Sequence, residues 1–212
     1  MQETELIALW RSYDQKLEEN LKLNRRNAEA ITLIKIKSLV RSMAPIKFFT
    51  LIVGTLWIVF LGNVLYNTYS FASAFFWYSI FIHVVLLSIV LGIYTYQLVL
   101  IFQTDISEPL LATQHRLASL KSSTLLISRL MFVHAPVWTT FSISEQIWND
   151  PFLLAISLSL TFVFTIIAIW LFFNIKYENK DKKWFKFIFN GREWEPVLKS
   201  TALLREIEDF NK

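Results

Sequence analysis

The chain begins with an apolar repeat of helical spacing and then becomes almost wholly apolar. Leu6, Trp10, Tyr13 and Leu17 recur at spacings of four, three and four, which is one face of a helix. Continued, the same repeat lands on Asn20, Asn24 and Asn27, then on Ile31 and Ile34. The stripe therefore has a polar middle. Neither Gly nor Pro occurs before Pro45, so residues 3–42 are expected to form one helix, about 60 Å long at 1.5 Å per residue.

From Phe48 to Thr104 there is no Lys, Arg, Asp or Glu. The run is about twice the ~20 apolar residues that one bilayer crossing needs. It predicts two spans, 48–66 and 75–99, with a turn near Asn67–Ser73. A polar connection at 105–129 keeps helical spacing through Leu110, Leu117, Leu120 and Ile127, with Ser107 as N-cap and Pro109 in the first turn. A third span is expected over 130–148 and a fourth over 151–173, begun by Pro151. Ser157, Ser159, Thr161 and Thr165 on the fourth span can return their hydroxyls to backbone carbonyls. The tail, 174–212, divides into a basic, aromatic helix over 182–189, lying in the headgroup layer and ended by Gly191, and an amphipathic helix over 194–210. The face of that second helix includes Val197, Leu203 or Leu204, Ile207 and Phe210.

The pattern predicts an all-α integral membrane four-helix bundle with cytosolic amphipathic helices. Residues 1–44 form a cytosolic helix, 45–173 the four-span domain and 174–212 a cytosolic tail. Composition agrees, with 54% hydrophobic residues and 18% charged. Charge then sets the orientation. All 21 Lys and Arg lie before the first span, in the 105–129 connection with Arg129 at its edge, or after the fourth span, and none lies in the two turns on the other side. By the positive-inside rule, both termini face the cytoplasm, as in a bacterial inner-membrane protein. Lys47 is expected to snorkel to the interface. The basic flanks favour anionic membrane lipids as partners. Because Glu is interleaved with the basic residues of the first helix, nucleic acid is not expected as a partner.

Candidate chemistry is sparse. The chain has no Cys, which excludes disulfides, thiol catalysis and Cys-ligated metals. No phosphate loop, HExxH or GxSxG occurs, and neither an enzymatic activity nor a cofactor is expected. The intramembrane polar candidates are His83, His134 and Asn63. Counted from the span ends, His83 lies about 12 Å below the outer edge and His134 only a few residues inside the inner one, a difference in depth of about 10 Å. A haem or metal shared by the two is therefore not expected. His134 is instead expected to help satisfy the carbonyl that Pro136 frees.

The segment from Leu9 to Glu18 (Leu-Trp-Arg-Ser-Tyr-Asp-Gln-Lys-Leu-Glu), with Leu23-Asn24-Arg25-Arg26, Leu120-Lys121-Ser122-Ser123-Thr124-Leu125 and Arg192-Glu193-Trp194, resembles a group of small, uncharacterised bacterial four-span inner-membrane proteins. That resemblance covers nearly the whole chain and implies topology but no activity. The opening Leu-Trp helix ahead of a membrane anchor is also loosely similar to membrane-anchored anti-sigma factors, although no zinc motif is present. The resulting expectation is a non-enzymatic binding or regulatory protein that presents cytosolic helices to a protein partner through Leu6, Trp10, Tyr13 and Leu17. Packing against the chain's own cytosolic segments and self-association into a homo-oligomer are the other uses of that stripe. The alternative is a small transporter or channel component, with His83, His134, Asn63 and the hydroxyls of the fourth span lining one water-accessible path.

Overall fold

In a computed structural model that describes residues 3–103, 110–189 and 194–210, the chain is all-helical, with no strand among those residues. The helices are α1 (Glu3–Arg41), α2 (Ala44–Thr68), α3 (Ala74–Phe102), α4 (Leu110–Thr140), α5 (Glu145–Asn149), α6 (Pro151–Asn174), α7 (Lys183–Ile188) and α8 (Glu195–Phe210), with a short 3₁₀ turn at Tyr177–Asn179. Three helical stretches, Leu6–Thr68, Ala74–Phe102 and Pro151–Asn174, hold an apolar run long enough to cross a membrane.

Local chemistry explains the boundaries. Pro45 opens α2 and Pro151 opens α6, positions where the missing N–H costs nothing. Ser73 caps α3 by accepting from the Phe76 N–H, and Asp150 caps α6 by accepting from Phe152 and Leu153. The helix expected over 130–148 ends early. α4 runs from Leu110 only to Thr140, and the short α5 follows a break at 141–144. The capping expected of Ser107, Pro109 and Gly191 falls outside the described residues.

Packing follows chain order. α2 packs on α3, α3 on α4, and α4 on α6. No comparable interface joins α2 to α6, so the long helices form an antiparallel row, and the contact that would close a four-helix bundle is not among the main interfaces. Only 6% of the apolar run in α2 and in α6 is buried within the chain, against 28% in α3. Two arginines of α4 tie the row together. Arg129 donates Nε and Nη2 to the Ile175 carbonyl at 2.9 and 2.7 Å, closing the C-terminal end of α6. Arg116 donates to the Gln103 carbonyl at the end of α3. Thirteen residues turn a helix through about 220° beyond three full turns, so the two side chains leave α4 on different faces, one toward each neighbour. Both carbonyls are at helix C-termini, where a cation is favourable.

The basic end is capped by two cores. In one, Ile36, Val40 and Met43 of α1 meet Ile101, Leu117, Leu120, Val197 and Leu204. In the other, Leu125, Leu171 and Ile175 meet Phe185, Phe189 and Trp194. α8 buries Val197, Leu204 and Ile207, and its first turn carries the Glu195–Lys199 ion pair at 2.7 Å. The hydrogen bond and charge of Lys199 hold the Glu195 carboxyl below its ordinary range. The helix expected over 182–189 forms as α7, and Phe185 and Phe189 pack into the second core. Phe187 alone of its three phenylalanines stands out, 87% exposed.

Candidate functional site

Helices α3 and α4 meet along a seam of period close to 3.5. Buried positions on α3 include Ser79, Val90, Tyr94, Gln97 and Ile101, and those on α4 include Thr113, Leu117, Leu120, Thr124, Ile127 and His134. Apolar positions supply the packing, and most of the polar ones gather into two clusters.

The first cluster lies toward the basic end. Lys47 is fully buried and donates Nζ to Gln97 Oε1 at 2.6 Å, with the ammonium 4.8 Å from the centre of the Tyr94 ring. Gln97 Nε2 donates to the hydroxyls of Ser123 at 2.8 Å and Thr124 at 3.2 Å. Those hydroxyls donate in turn to the Leu120 carbonyl, at 3.1 and 2.7 Å. One amide side chain thus connects α2, α3 and α4, with a partner at each end. Lys47 does not snorkel as expected: Gln97 reaches it from within the row. Sequence reading missed Lys47 and Gln97 as a pair. The available signal was the amide near the end of an otherwise apolar run.

The second cluster lies toward the other end. His83 and His134 were expected at different depths, and the structure brings them together, with ring centroids 4.7 Å apart and planes at 82°. The reason is the extent of α4. Counting from Leu130 placed His134 near the basic face, but α4 is continuous from Leu110 to Thr140. The pairing of Ser79 with Thr140, hydroxyls 2.9 Å apart, and of Gln97 with Ser123 sets an antiparallel register that puts 83 opposite 134. Trp138 stands edge-on to His83 at 5.0 Å. A cavity of about 230 Å³ lies on one side, walled by Trp57, Phe60, Leu61, Trp138 and Phe141. A second opening of about 480 Å³ is lined by His83, His134, Met131, Trp57 and Trp138.

His134 is 4% exposed, and its Nδ1 lies 2.9 Å from the Leu130 carbonyl. A carbonyl only accepts, so Nδ1 carries the proton, and in the neutral ring Nε2 is then the nitrogen with the lone pair. That Nε2 is buried without a hydrogen-bond partner, as is His83 Nδ1. The Leu130 carbonyl is one turn before His134. It is not the Phe132 carbonyl that Pro136 deprives of an N–H, so the local role expected of His134 is not the one it plays.

The remaining candidates are dispersed. Asn63 is exposed on α2, where Asn67 donates to its carbonyl and side chain. Thr161 and Thr165 donate to Ser157 and Thr161 carbonyls at 2.9 and 2.7 Å, and Thr161 also meets Thr139 across α4–α6 at 2.9 Å. These groups do not converge on the histidines. Leu6, Trp10, Tyr13 and Leu17 are all exposed, Trp10 by 65%, and every residue from 6 to 28 is exposed. Among the described residues no three His, Asp or Glu converge as metal ligands. Comparison with protein-family models, curated proteins and solved structures finds no match.

Proposed function

We propose that the protein is a membrane-anchored docking protein, non-enzymatic, whose α1 presents Leu6, Trp10, Tyr13 and Leu17 to a cytosolic protein partner. In this reading α4 is a fourth span and both termini lie in the cytoplasm, as in a bacterial inner-membrane protein. The distribution of Lys and Arg supports that orientation. The observation that carries the docking role is the bare N-terminal part of α1. Its C-terminal part is anchored in the core by Ile36, Val40 and Met43, while residues 6–28 touch nothing that buries them. Exposed Trp and Tyr in one stripe are the residue types that dominate binding energy once covered. The polar middle at Asn20, Asn24 and Asn27 would burden a coil of two α1 copies along its length. A partner with an apolar groove covering only the outer third avoids that cost. An anti-sigma-like arrangement is one form of this role. Anionic headgroups complete the list of partners: Lys182, Lys183 and Lys186 lie beside the exposed Phe187 just beyond the end of α6.

The test is site-specific photo-crosslinking in native membranes. Probes at Trp10 and Leu17 are expected to give a discrete adduct with another protein. Probes at Gln15 and Lys22, about 180° around the helix, are expected to give none, and Leu6→Ala with Tyr13→Ala should abolish the adduct. Equal labelling from both faces, or adducts made only of two copies of this chain, would overturn the reading.

A further inference from the structure

We infer that His83 and His134, with Met131, form a binding site for a soft monovalent cation, Cu(I).

His134 presents a buried ring nitrogen that no protein group satisfies. A histidine that binds a metal almost always donates its other ring N–H to a carbonyl or carboxylate, which fixes the tautomer and the ring orientation. His134 has that arrangement, with Nδ1–H on the Leu130 carbonyl and Nε2 bare and buried. The second imidazole, His83, also carries a buried nitrogen without a partner. Leaving two such atoms at one helix contact costs stability, and a shared ligand would remove that cost.

The separation of the rings selects the geometry. Axial imidazoles on opposite sides of one iron place their centroids about 6 Å apart, given metal–nitrogen bonds of about 2.0 Å. The observed 4.7 Å at 82° is too close for a haem between them. Two imidazoles on a bent or tetrahedral centre stand about 5 Å apart for the same bond length, close to what is seen.

The donor set selects the metal. Met131 is one turn before His134 on the same face of α4 and lines the same opening as both histidines. Thioether and imidazole suit Cu(I), whereas structural zinc takes four ligands, usually including thiolate or carboxylate. Among the described residues no third His, Asp or Glu joins the pair. All three donors are neutral, so the charge of the bound ion would stand uncompensated in apolar surroundings. Ion desolvation cost grows with the square of charge, which favours a monovalent ion over a divalent one. Trp57 and Trp138 line the same opening and keep its walls apolar.

The experiment uses the full chain purified in detergent under anaerobic conditions and titrated with Cu(I) against a chromogenic Cu(I) chelator. One equivalent per chain is expected, with quenching of tryptophan fluorescence. X-ray absorption at the copper edge should show nitrogen neighbours and one sulfur. His83→Leu and His134→Leu should each weaken retention by about 100-fold or more, and Met131→Leu by about 10-fold with loss of the sulfur shell. Circular dichroism and gel filtration establish that each variant is folded, and His134→Gln replaces His134→Leu if the latter is not. Surrender of all Cu(I) by the folded wild-type chain, retention by the double histidine variant, or equal competition by Zn(II) would each overturn the site. A sulfur shell that persists in Met131→Leu, or never forms, removes Met131 and with it the proposed donor set.

Discussion

Two polar clusters sit on the same helix seam and differ in one respect. Around Gln97 the donors and acceptors are matched: Lys47 gives to the amide oxygen, the amide nitrogen gives to Ser123 and Thr124, and those hydroxyls give to the Leu120 carbonyl. Around His83 and His134 two buried ring nitrogens have no partner. A matched network in apolar surroundings holds helices in register, and removing one member strands the others. An unmatched pair contributes less to the fold and stays open to a ligand. The two regions should therefore respond oppositely to apolar substitution.

The largest effect should follow Gln97→Leu. It takes the acceptor from a buried ammonium and the donor from two hydroxyls together, at an expected cost of about 3 kcal/mol. Thermal unfolding in detergent, followed by circular dichroism, should show a clearly lowered midpoint. Lys47→Met added to Gln97→Leu should recover most of the loss, because removing both partners is far cheaper than removing one. If the double variant is as unstable as the single, the network is not what makes Gln97 important.

Arg129→Met comes next. It leaves the Ile175 carbonyl at the end of α6 without its two donors, for an expected loss of about 1–3 kcal/mol. The change lies at the basic end, near the second core, and should loosen α6 from α4. Faster proteolysis between α6 and α7 would report it. Unchanged cleavage would mean that the core of Phe185, Phe189 and Trp194 holds α6 without help.

How much of this was legible in the sequence depends on the kind of signal. The lengths of α2, α3 and α6 follow from charge-free runs bounded by Ser73, Pro151 and Pro45, each of which acts locally. α1 was legible because nothing before Pro45 breaks a helix. The end of α4 was not, since the 130–148 run is apolar on both sides of a break that no Gly or Pro marks. The depth of His134 was lost with it. Ser122, Ser123 and Thr124 read as an aqueous connection, yet Ser123 and Thr124 return their hydroxyls to Leu120 and so sit cheaply inside the seam. The pairing of position 47 with 97, and of 83 with 134, depends on register between helices, which a hydropathy pattern does not carry. The same holds for the choice between an open row and a closed bundle.

Trp10→Ala with Leu17→Ala should have a smaller effect still. Both side chains are exposed, on a part of α1 where every residue from 6 to 28 is exposed, so stability should change by less than about 0.5 kcal/mol. The proposed contact with a cytosolic partner should be lost all the same. A stability loss comparable to that of Arg129→Met would mean that the stripe is covered within the chain or by a second copy.

The least destabilising change, and the sharpest contrast with Gln97→Leu, is expected from His83→Leu with His134→Leu. The substitution removes two buried nitrogens that have no partner and gives up one hydrogen bond, from His134 Nδ1 to the Leu130 carbonyl. That carbonyl lies one turn before the His134 N–H, within the ordinary reach of the helix ladder, so it is not stranded. Leucine is close to imidazole in bulk and better suited to a wall of Trp57, Phe60, Leu61 and Phe141. The net change should lie within about 1 kcal/mol of zero, with stabilisation as the expected sign. The comparison is made without added metal, because a ligand that binds only the folded state would raise the wild-type midpoint by mass action. An unfolding midpoint that falls as far as that of Gln97→Leu would place the histidines in the scaffold, and the contrast between the two clusters would disappear.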